Sequence, residues 1–585
     1  MDLGLFKKLF VYFCADDKRN IILYMLLSYV ASILEVLGVA MVYPLMILLL
    51  KPELQDKLPF VISPLYLSIG IFLIFILKNI YMCYCYKIQA RFSKRLETRL
   101  LQRFMDYFLE ASYLDTLKIS RVVKERSMSV LVTETVNNFF LRFLNLNINL
   151  AIVVSILALL CVKFPKPALI TFCFAMIVLF LQNVAYKKVL KKLAEVNWQS
   201  QSEFDSLKGA IFPNIKLIKL ANKTAEFRVF FSKSINNLQE SQTNYMTMNS
   251  IQPYVLEPLV IVLLFIMLGV IALDYQNDTT VMVASFAIVA SAIFRILPAL
   301  SRVQVSVNGI SVGREFAKEL ISFYETNIKN YKPIFPIVSN EFKEKISIKN
   351  LSFSYANEKE VLSNINFEIK KNSFVGIVGV SGSGKSSLID VLTGLLPPTA
   401  GEIFVDSKKV TGISNLVGYV PQEPIFFNTS IRENIAFGAK EINDERVIQV
   451  LKQVGLYEFI RDTYEKGIYA SVLVDTQGLS LGQKQRLSIA RALYAMPQVL
   501  ILDEVTSALD LKSEEDICSL FEELSSEITI ISIAHRLLTL KNADNILFLK
   551  NGKLFAQGSF NYLHDNCNEF QTLLMVEKNR LTNLT

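Results

Sequence analysis

The sequence predicts an all-α membrane domain of six spanning helices followed by an α/β domain built around a largely parallel sheet. Three observations carry this expectation. Six long apolar runs crowd the first half of the chain, and short β-rich runs alternate with helical ones from residue 346 onward. Between an apolar strand and a helical run lies a loop rich in glycine and serine, at residues 379–386.

A chain of 585 residues is too long for one core. With 52% hydrophobic and 19% charged residues and a mean hydropathy of +0.37, it is more apolar than an ordinary soluble protein. The expected division is a membrane domain with cytosolic helix extensions over 1–325, a linker over 326–345 and the α/β domain over 346–585. The formal charge of +8 fits the positive-inside bias of a membrane protein, because Lys and Arg concentrate beside the apolar runs. No nucleic-acid partner is expected.

The seven cysteines lie mostly in or near apolar segments or in the α/β part, so they do not form a disulfide framework. Cys83 and Cys85 lack the spacing of zinc ligands, and only His535 and His564 could assist them, so no structural transition-metal site is expected. The first apolar run is much longer than a signal core and is expected to be retained as a membrane helix.

The predicted spans are 22–50, 65–86, 141–162, 168–185, 251–272 and 281–300, each long enough to cross about 30 Å of hydrocarbon. Lys87, Arg91, Lys94, Arg95, Arg99 and Arg103 follow the second span, and Lys187, Lys188, Lys191 and Lys192 the fourth. Both termini and both long connections, 87–137 and 187–250, therefore face the cytoplasm. The connections are compatible with helices continuing out of the membrane, with turns near 113–121. Leu5, Phe6, Leu9 and Phe10, with Lys7 and Lys8, predict an amphipathic helix lying on the cytoplasmic membrane surface. Pro333 and Pro336 among polar residues mark the linker.

Gly379, Val380, Ser381, Gly382, Ser383, Gly384, Lys385 and Ser386 fit a phosphate-binding loop, with Ser387 opening the helical run behind it. Glycines let backbone N–H groups curl around phosphates at a helix N-terminus, Lys385 offers charge to the β and γ phosphates, and the Ser386 hydroxyl can ligate Mg²⁺. A buried strand at 499–502 then ends in Asp503 and Glu504. Asp503 suits a Mg²⁺ held through water, and Glu504 can polarise an attacking water. ATP and Mg²⁺ are the cofactors expected.

These residues resemble the ABC ATPase family. Leu479, Ser480, Leu481, Gly482 and Gln483 resemble its LSGGQ signature, Ser507 to Asp510 its D-loop, Val420, Pro421 and Gln422 its Q-loop, and Ala534, His535 and Arg536 its switch histidine. Tyr355 matches the aromatic that stacks on adenine. The resemblance implies an ATP clamped between the phosphate loop of one copy and Ser480, Gly482 and Gln483 of a second, hence a homodimer. It also implies that Gln422 and His535 complete the site around Mg²⁺ and the γ-phosphate. Two positions depart from the pattern: Leu481 replaces a signature glycine, which predicts slowed closure, and Thr476 stands where many exporters have a glutamate. The membrane half resembles six-span exporters, whose short cytosolic helices, here near 113–121 and 214–222, touch the ATPase.

Charges inside spans cost roughly 2.5 to 3.5 kcal/mol on insertion scales, so Glu35, Lys78, Glu257 and Arg295 each need a reason, with Arg302 at the end of the last span. Snorkelling or internal ion pairing would account for Glu35 and Glu257. Arg295 and Arg302, seven apart, fall on one helix face and suit phosphate or pyrophosphate. With Lys78, the stretch 294–302 resembles the lipid-linked oligosaccharide flippases of bacterial inner membranes, which implies a polyprenyl-pyrophosphate glycan as substrate. Multidrug or other lipid export, peptide or protein export, an ATP-gated channel and a DNA-repair ATPase are the competing expectations. The last would have coiled-coil heptads where this chain has apolar spans.

Overall fold

A computed structural model describes residues 3–51, 64–275, 278–331, 339, 341–355, 360–471, 479–505, 511–534 and 536–582. The expected linker prolines Pro333 and Pro336, Thr476, residues 507–510 and His535 lie outside them. The chain divides into two compact units, one of residues 1–111 and 115–332, the other of 112–114 and 333–585.

The first unit is helical. Among the described residues, five stretches are long and apolar enough to cross a membrane: Ala15–Leu50, Pro64–Glu110, Arg121–Lys163, Glu257–Asp274 and Thr279–Ile328. The fourth expected span, 168–185, runs inside the continuous helix Pro165–Ile211. Four of the described helices far exceed the hydrocarbon thickness: Pro64–Glu110 and Pro165–Ile211 have 47 residues each, Thr224–Asp274 has 51 and Thr279–Phe323 has 45. At 1.5 Å per residue each is about 70 Å long, so their polar ends continue beyond any bilayer. Short helices Tyr113–Leu117 and Ile215–Leu220 occupy the two long connections.

Two expectations change. The first span is not one helix, because Lys18–Ala40 gives way at Met41 to Val42–Leu50. Pro44 has no N–H to donate to the Ala40 carbonyl and its ring crowds that turn, which breaks the run there. The N-terminal helix Leu3–Phe13 does not use its apolar face on lipid alone. Leu9 is fully buried, and Phe6 and Phe10 pack on Phe143 and Phe140 with ring centroids 4.7 and 5.7 Å apart. Aromatic packing on the cytosolic ends of the spans captures that stripe.

Helix Thr279–Phe323 is the hub of this unit, with 22 buried residues spread around it. A Cβ at Gly313 would stand 2.7 Å from the Asn138 carbonyl carbon and 2.8 Å from its oxygen, so only glycine allows this backbone approach.

Among its described residues, the second unit holds ten strands in two sheets. Strands β1 (Lys345–Phe353), β2 (Leu362–Lys370), β4 (Ala400–Val405) and β5 (Lys408–Val410) form an antiparallel sheet in the order β2-β1-β4-β5. Strands β3 (Phe374–Gly379), β6 (Val417–Val420), β7 (Val499–Asp503), β8 (Thr529–Ile533), β9 (Asn545–Lys550) and β10 (Lys553–Gly558) form the other, ordered β10-β9-β3-β8-β7-β6. All pairs in it are parallel except β9 with β10.

Its central strands are buried on both faces, as near-continuous apolar runs require. Phe374 and Val378 of β3 join one core with Leu500 and Leu502 of β7. Val375 and Ile377 join the opposite core with Val499 and Ile501.

Replacing Gly313 with Val should force the hub helix off the Asn138 backbone, at a cost of about 1 to 3 kcal/mol. A lowered melting temperature of the detergent-purified protein measures this. An unchanged melting temperature would contradict the close approach.

Candidate functional site

The phosphate-loop candidate leaves β3 at Gly379 and enters helix Lys385–Thr393. Gly382 and Gly384 have φ of +78° and +98°, values that L side chains rarely adopt. A Cβ at Gly384 would also lie 2.7 Å from Leu362, whereas the space beside Gly382 is open. Lys385 is 6% exposed, and its Nζ donates to the carbonyls of Gly379 at 2.9 Å and Val380 at 3.4 Å. Burial lowers the Lys385 pKa, while the carboxylates of Glu504 and Asp503 pull it upward. Ser383 Oγ is buried without a partner among the described residues. Ser386 is exposed, and the Tyr355 hydroxyl lies 3.2 Å from Ser387 Oγ.

The two carboxylates stand at the end of β7. Tyr419 donates its hydroxyl to Asp503 Oδ2 at 2.8 Å, and Gln422 donates its amide to Glu504 Oε2 at 2.8 Å. Glu504 takes a φ of +51°, a strained turn for a non-glycine residue, held by its N–H to the Ile533 carbonyl at 3.1 Å. Burial raises the pKa of Asp390 and that of the Tyr419 hydroxyl, and Asp503 adds to both.

A cradle of left-handed glycines, an unpartnered buried hydroxyl, a lysine and two carboxylates fits a magnesium-bound nucleoside triphosphate. Gln422, Asp503 and Ser386 are the available oxygen donors for the metal.

Ser480 caps helix Leu481–Tyr494 through a capping box: its Oγ accepts from Gln483 N at 3.2 Å, and Gln483 Oε1 accepts from Ser480 N at 2.8 Å. Gln483 therefore shapes its own turn. Leu481 is 43% exposed at the first helical position, and Gly482 follows it. Gln485, 2% exposed, donates to the Gln422 backbone carbonyl at 2.8 Å and so ties the signature helix to the segment bearing Gln422. Tyr419 and Gln485 escaped sequence reasoning. Tyr419 sits three residues before Gln422 and Gln485 two after Gln483, but which partner each meets depends on strand register and helix phase.

In the helical unit, Lys78 and Arg295 meet Glu35. Lys78 Nζ lies 2.7 Å from one carboxylate oxygen, both side chains being under a tenth exposed, and Arg295 Nε lies 3.4 Å from the other. Both cations also approach the Phe75 ring, at 5.5 and 4.6 Å from its centroid. Arg302 reaches the cavity of about 580 Å³ that this cluster borders.

Residues 362–507 match the ABC transporter family. The chain carries an ABC transporter domain. Over 240 residues it is 40% identical to the leukotoxin translocation ATP-binding protein LktB of a Pasteurella haemolytica-like species, covering 40% of this chain and 34% of that protein. The same protein from Mannheimia glucosida matches at the same identity and extent. The chain thus spans about a third of the length of these relatives. A bacterial Atm1-family ABC exporter solved with ATP bound has the same fold, with a TM-score of 0.77 at 20% identity over 96% of this chain and 99% of that one. The fold is that of an ABC exporter half-transporter: an all-α membrane half followed by an α/β nucleotide-binding half.

Glu35→Gln should destabilise the protein by about 3 to 5 kcal/mol, because it leaves Lys78 buried without its carboxylate. Glu35→Gln with Lys78→Met should recover much of that loss. Thermal unfolding of both variants checks this; a double variant no more stable than the single one would argue against the pair.

Proposed function

We propose that this chain is an ATP-driven exporter of the inner membrane that works as a homodimer. The observation that carries the reading is the phosphate loop and the paired carboxylates, brought to one end of a parallel sheet in a chain whose other half is membrane-length helices. The exporter fold and the translocation named in the relatives' title support it.

In this reading the loop N–H groups and Lys385 bind the phosphates, Tyr355 stacks on adenine, and Ser386, Gln422 and Asp503 hold Mg²⁺. The metal supplies charge neutralisation on the phosphate oxygens. Glu504 accepts a proton from water as that water attacks the γ-phosphate, while Gln422 fixes the carboxylate's orientation. His535, outside the described residues, is assigned to the γ-phosphate by the same reading. Ser480, Gly482 and Gln483 of a second copy close the sandwich. Leu481 projects from that capped turn, so it adds bulk to the contact without removing the cap.

The substrate we assign is a lipid-linked oligosaccharide, carried as a polyprenyl-pyrophosphate glycan. Of its three candidate cations, Lys78 and Arg295 share Glu35, which leaves Arg302 as the principal charge for an anion. Protein export is a second reading, favoured by the leukotoxin translocation proteins, whose likeness covers 40% of this chain.

Glu504→Gln should retain ATP binding yet lower hydrolysis by at least about a hundredfold, as loss of a general base does. Lys385→Ala should instead weaken ATP binding itself. Parental turnover in the first variant, or parental ATP affinity in the second, would remove these assignments.

Reconstituted vesicles containing a labelled lipid-linked glycan or a labelled secreted polypeptide separate the substrates. ATP should move the glycolipid to the far leaflet, and Glu504→Gln should stop it. Movement of the polypeptide alone would select the second reading.

A further inference from the structure

A cavity of about 800 Å³ in the helical unit contains polar groups that the fold leaves unused. Asn149 is 2% exposed and lines it. Its Nδ2 donates to the Asn145 carbonyl at 2.7 Å, but its Oδ1 has no hydrogen-bond partner among the described residues. Arg142 lines the same cavity, and its Nε is likewise buried without a partner. The two lie seven apart, near the start of helix Leu141–Lys163, so they share one face. A buried amide oxygen and a guanidinium N–H left open in an apolar domain are a standing penalty that a ligand would relieve.

The placement of Arg142 depends on a second helix. A Cβ at Gly309 would lie 2.7 Å from Arg142 Cγ, so the absence of a side chain there lets the arginine stem lie against helix Thr279–Phe323. About two and three turns earlier on that helix, Arg302 and Pro298 line the cavity as well. Glu257 is the one carboxylate among the lining residues, so two guanidiniums face one negative charge. Val260, Ile261, Leu264, Phe294 and Leu297 supply an apolar wall.

A guanidinium pair selects a phosphate, the open Asn149 oxygen selects a hydrogen-bond donor beside it, and the apolar wall selects a hydrocarbon chain. A free phosphate would leave that wall wet. We propose that this cavity binds a phosphate-headed, hydroxyl-bearing lipid, with Arg142 and Arg302 on the phosphate, Asn149 accepting from a head-group hydroxyl and the chain along Val260, Leu264 and Phe294. The assignment rests on the exporter reading and adds Arg142 and Asn149 to its substrate site, in place of the Glu35-matched Lys78 and Arg295.

The test is equilibrium binding, without ATP, to the full chain in phosphatidylcholine nanodiscs. The probe is fluorescent lysophosphatidylglycerol, with the matching monoacylglycerol as its uncharged counterpart. The charged probe should bind at least about tenfold more tightly, and Arg142→Gln with Arg302→Gln should erase that difference, while the Arg→Lys pair restores part of it. Gly309→Ala should weaken the charged probe by displacing Arg142. Asn149→Leu should weaken lysophosphatidylglycerol but leave dodecyl phosphate, which has no hydroxyl, unchanged. Millimolar inorganic phosphate should not compete; full competition would assign the site to a soluble anion and overturn the lipid proposal.

Equal binding of charged and uncharged probes, or parental affinity in the double Gln variant, would also overturn it. Should that variant fail to fold, a photoreactive lysophosphatidylglycerol on the unmodified protein decides: labels within 257–264 and 294–306 support the site, and labels confined elsewhere sink it. Lipid binding as expected without ATP-dependent movement would leave the site standing and remove the exporter reading. Movement with no effect of the cavity variants would do the reverse.

Discussion

The parallel hydrogen bonding of β3, β8 and β7 sets the level at which the whole candidate phosphate site is built. Ile377 of β3 pairs with Ile533 of β8, and Ile533 pairs with Asp503 of β7. Three strands therefore run out together. The chain turns into the phosphate loop after Gly379 and into the Glu504 turn after Asp503, while Ile533 closes β8 at the same level. Since parallel strands share a direction, their C-terminal ends open on one edge, where Tyr419 and Gln422, at and beyond the end of β6, also arrive. A slip of one residue in any pair would turn these side chains to the other face. The apolar packing on both faces of β3 and β7 prevents such a slip.

A different constraint governs the helical unit. Apolar surroundings offer polar side chains no water, so each must find a partner in the protein or a ligand. The Glu35 cluster shows the first solution: one carboxylate draws a lysine and an arginine from two other helices, with Phe75 beneath both cations. Tyr24, Gln89 and Asn145 show it too, in a chain of hydrogen bonds of 3.0 and 2.9 Å. Asn149 and Arg142 depart from that pattern, and they do so on the wall of the cavity of about 800 Å³.

Likeness in sequence and likeness in fold extend over different shares of the chain. The leukotoxin translocation relatives match 40% of the chain, whereas the exporter fold extends over 96% of it at 20% identity. Phosphate chemistry fixes particular residues at particular spacings, and any change there alters the reaction. A spanning helix needs only sufficient apolar length, which many sequences satisfy.

The sequence alone determined the fold class, the helical character of the apolar runs and the phosphate-loop and carboxylate candidates, because hydrophobic period, apolar length and glycine spacing are local properties. It also placed Lys78, Arg295 and Arg302 as charges requiring an explanation. Which partner each charge met was not local. Glu35 lies 43 residues from Lys78 and 260 from Arg295 in the numbering, and only helix packing brings the three together. The same holds for the aromatic capture of the N-terminal helix, for the bonds of Tyr419 and Gln485, and for the glycine contacts of Gly309 and Gly313. In each case the deciding distance is between segments far apart in the chain, and tertiary packing alone sets it.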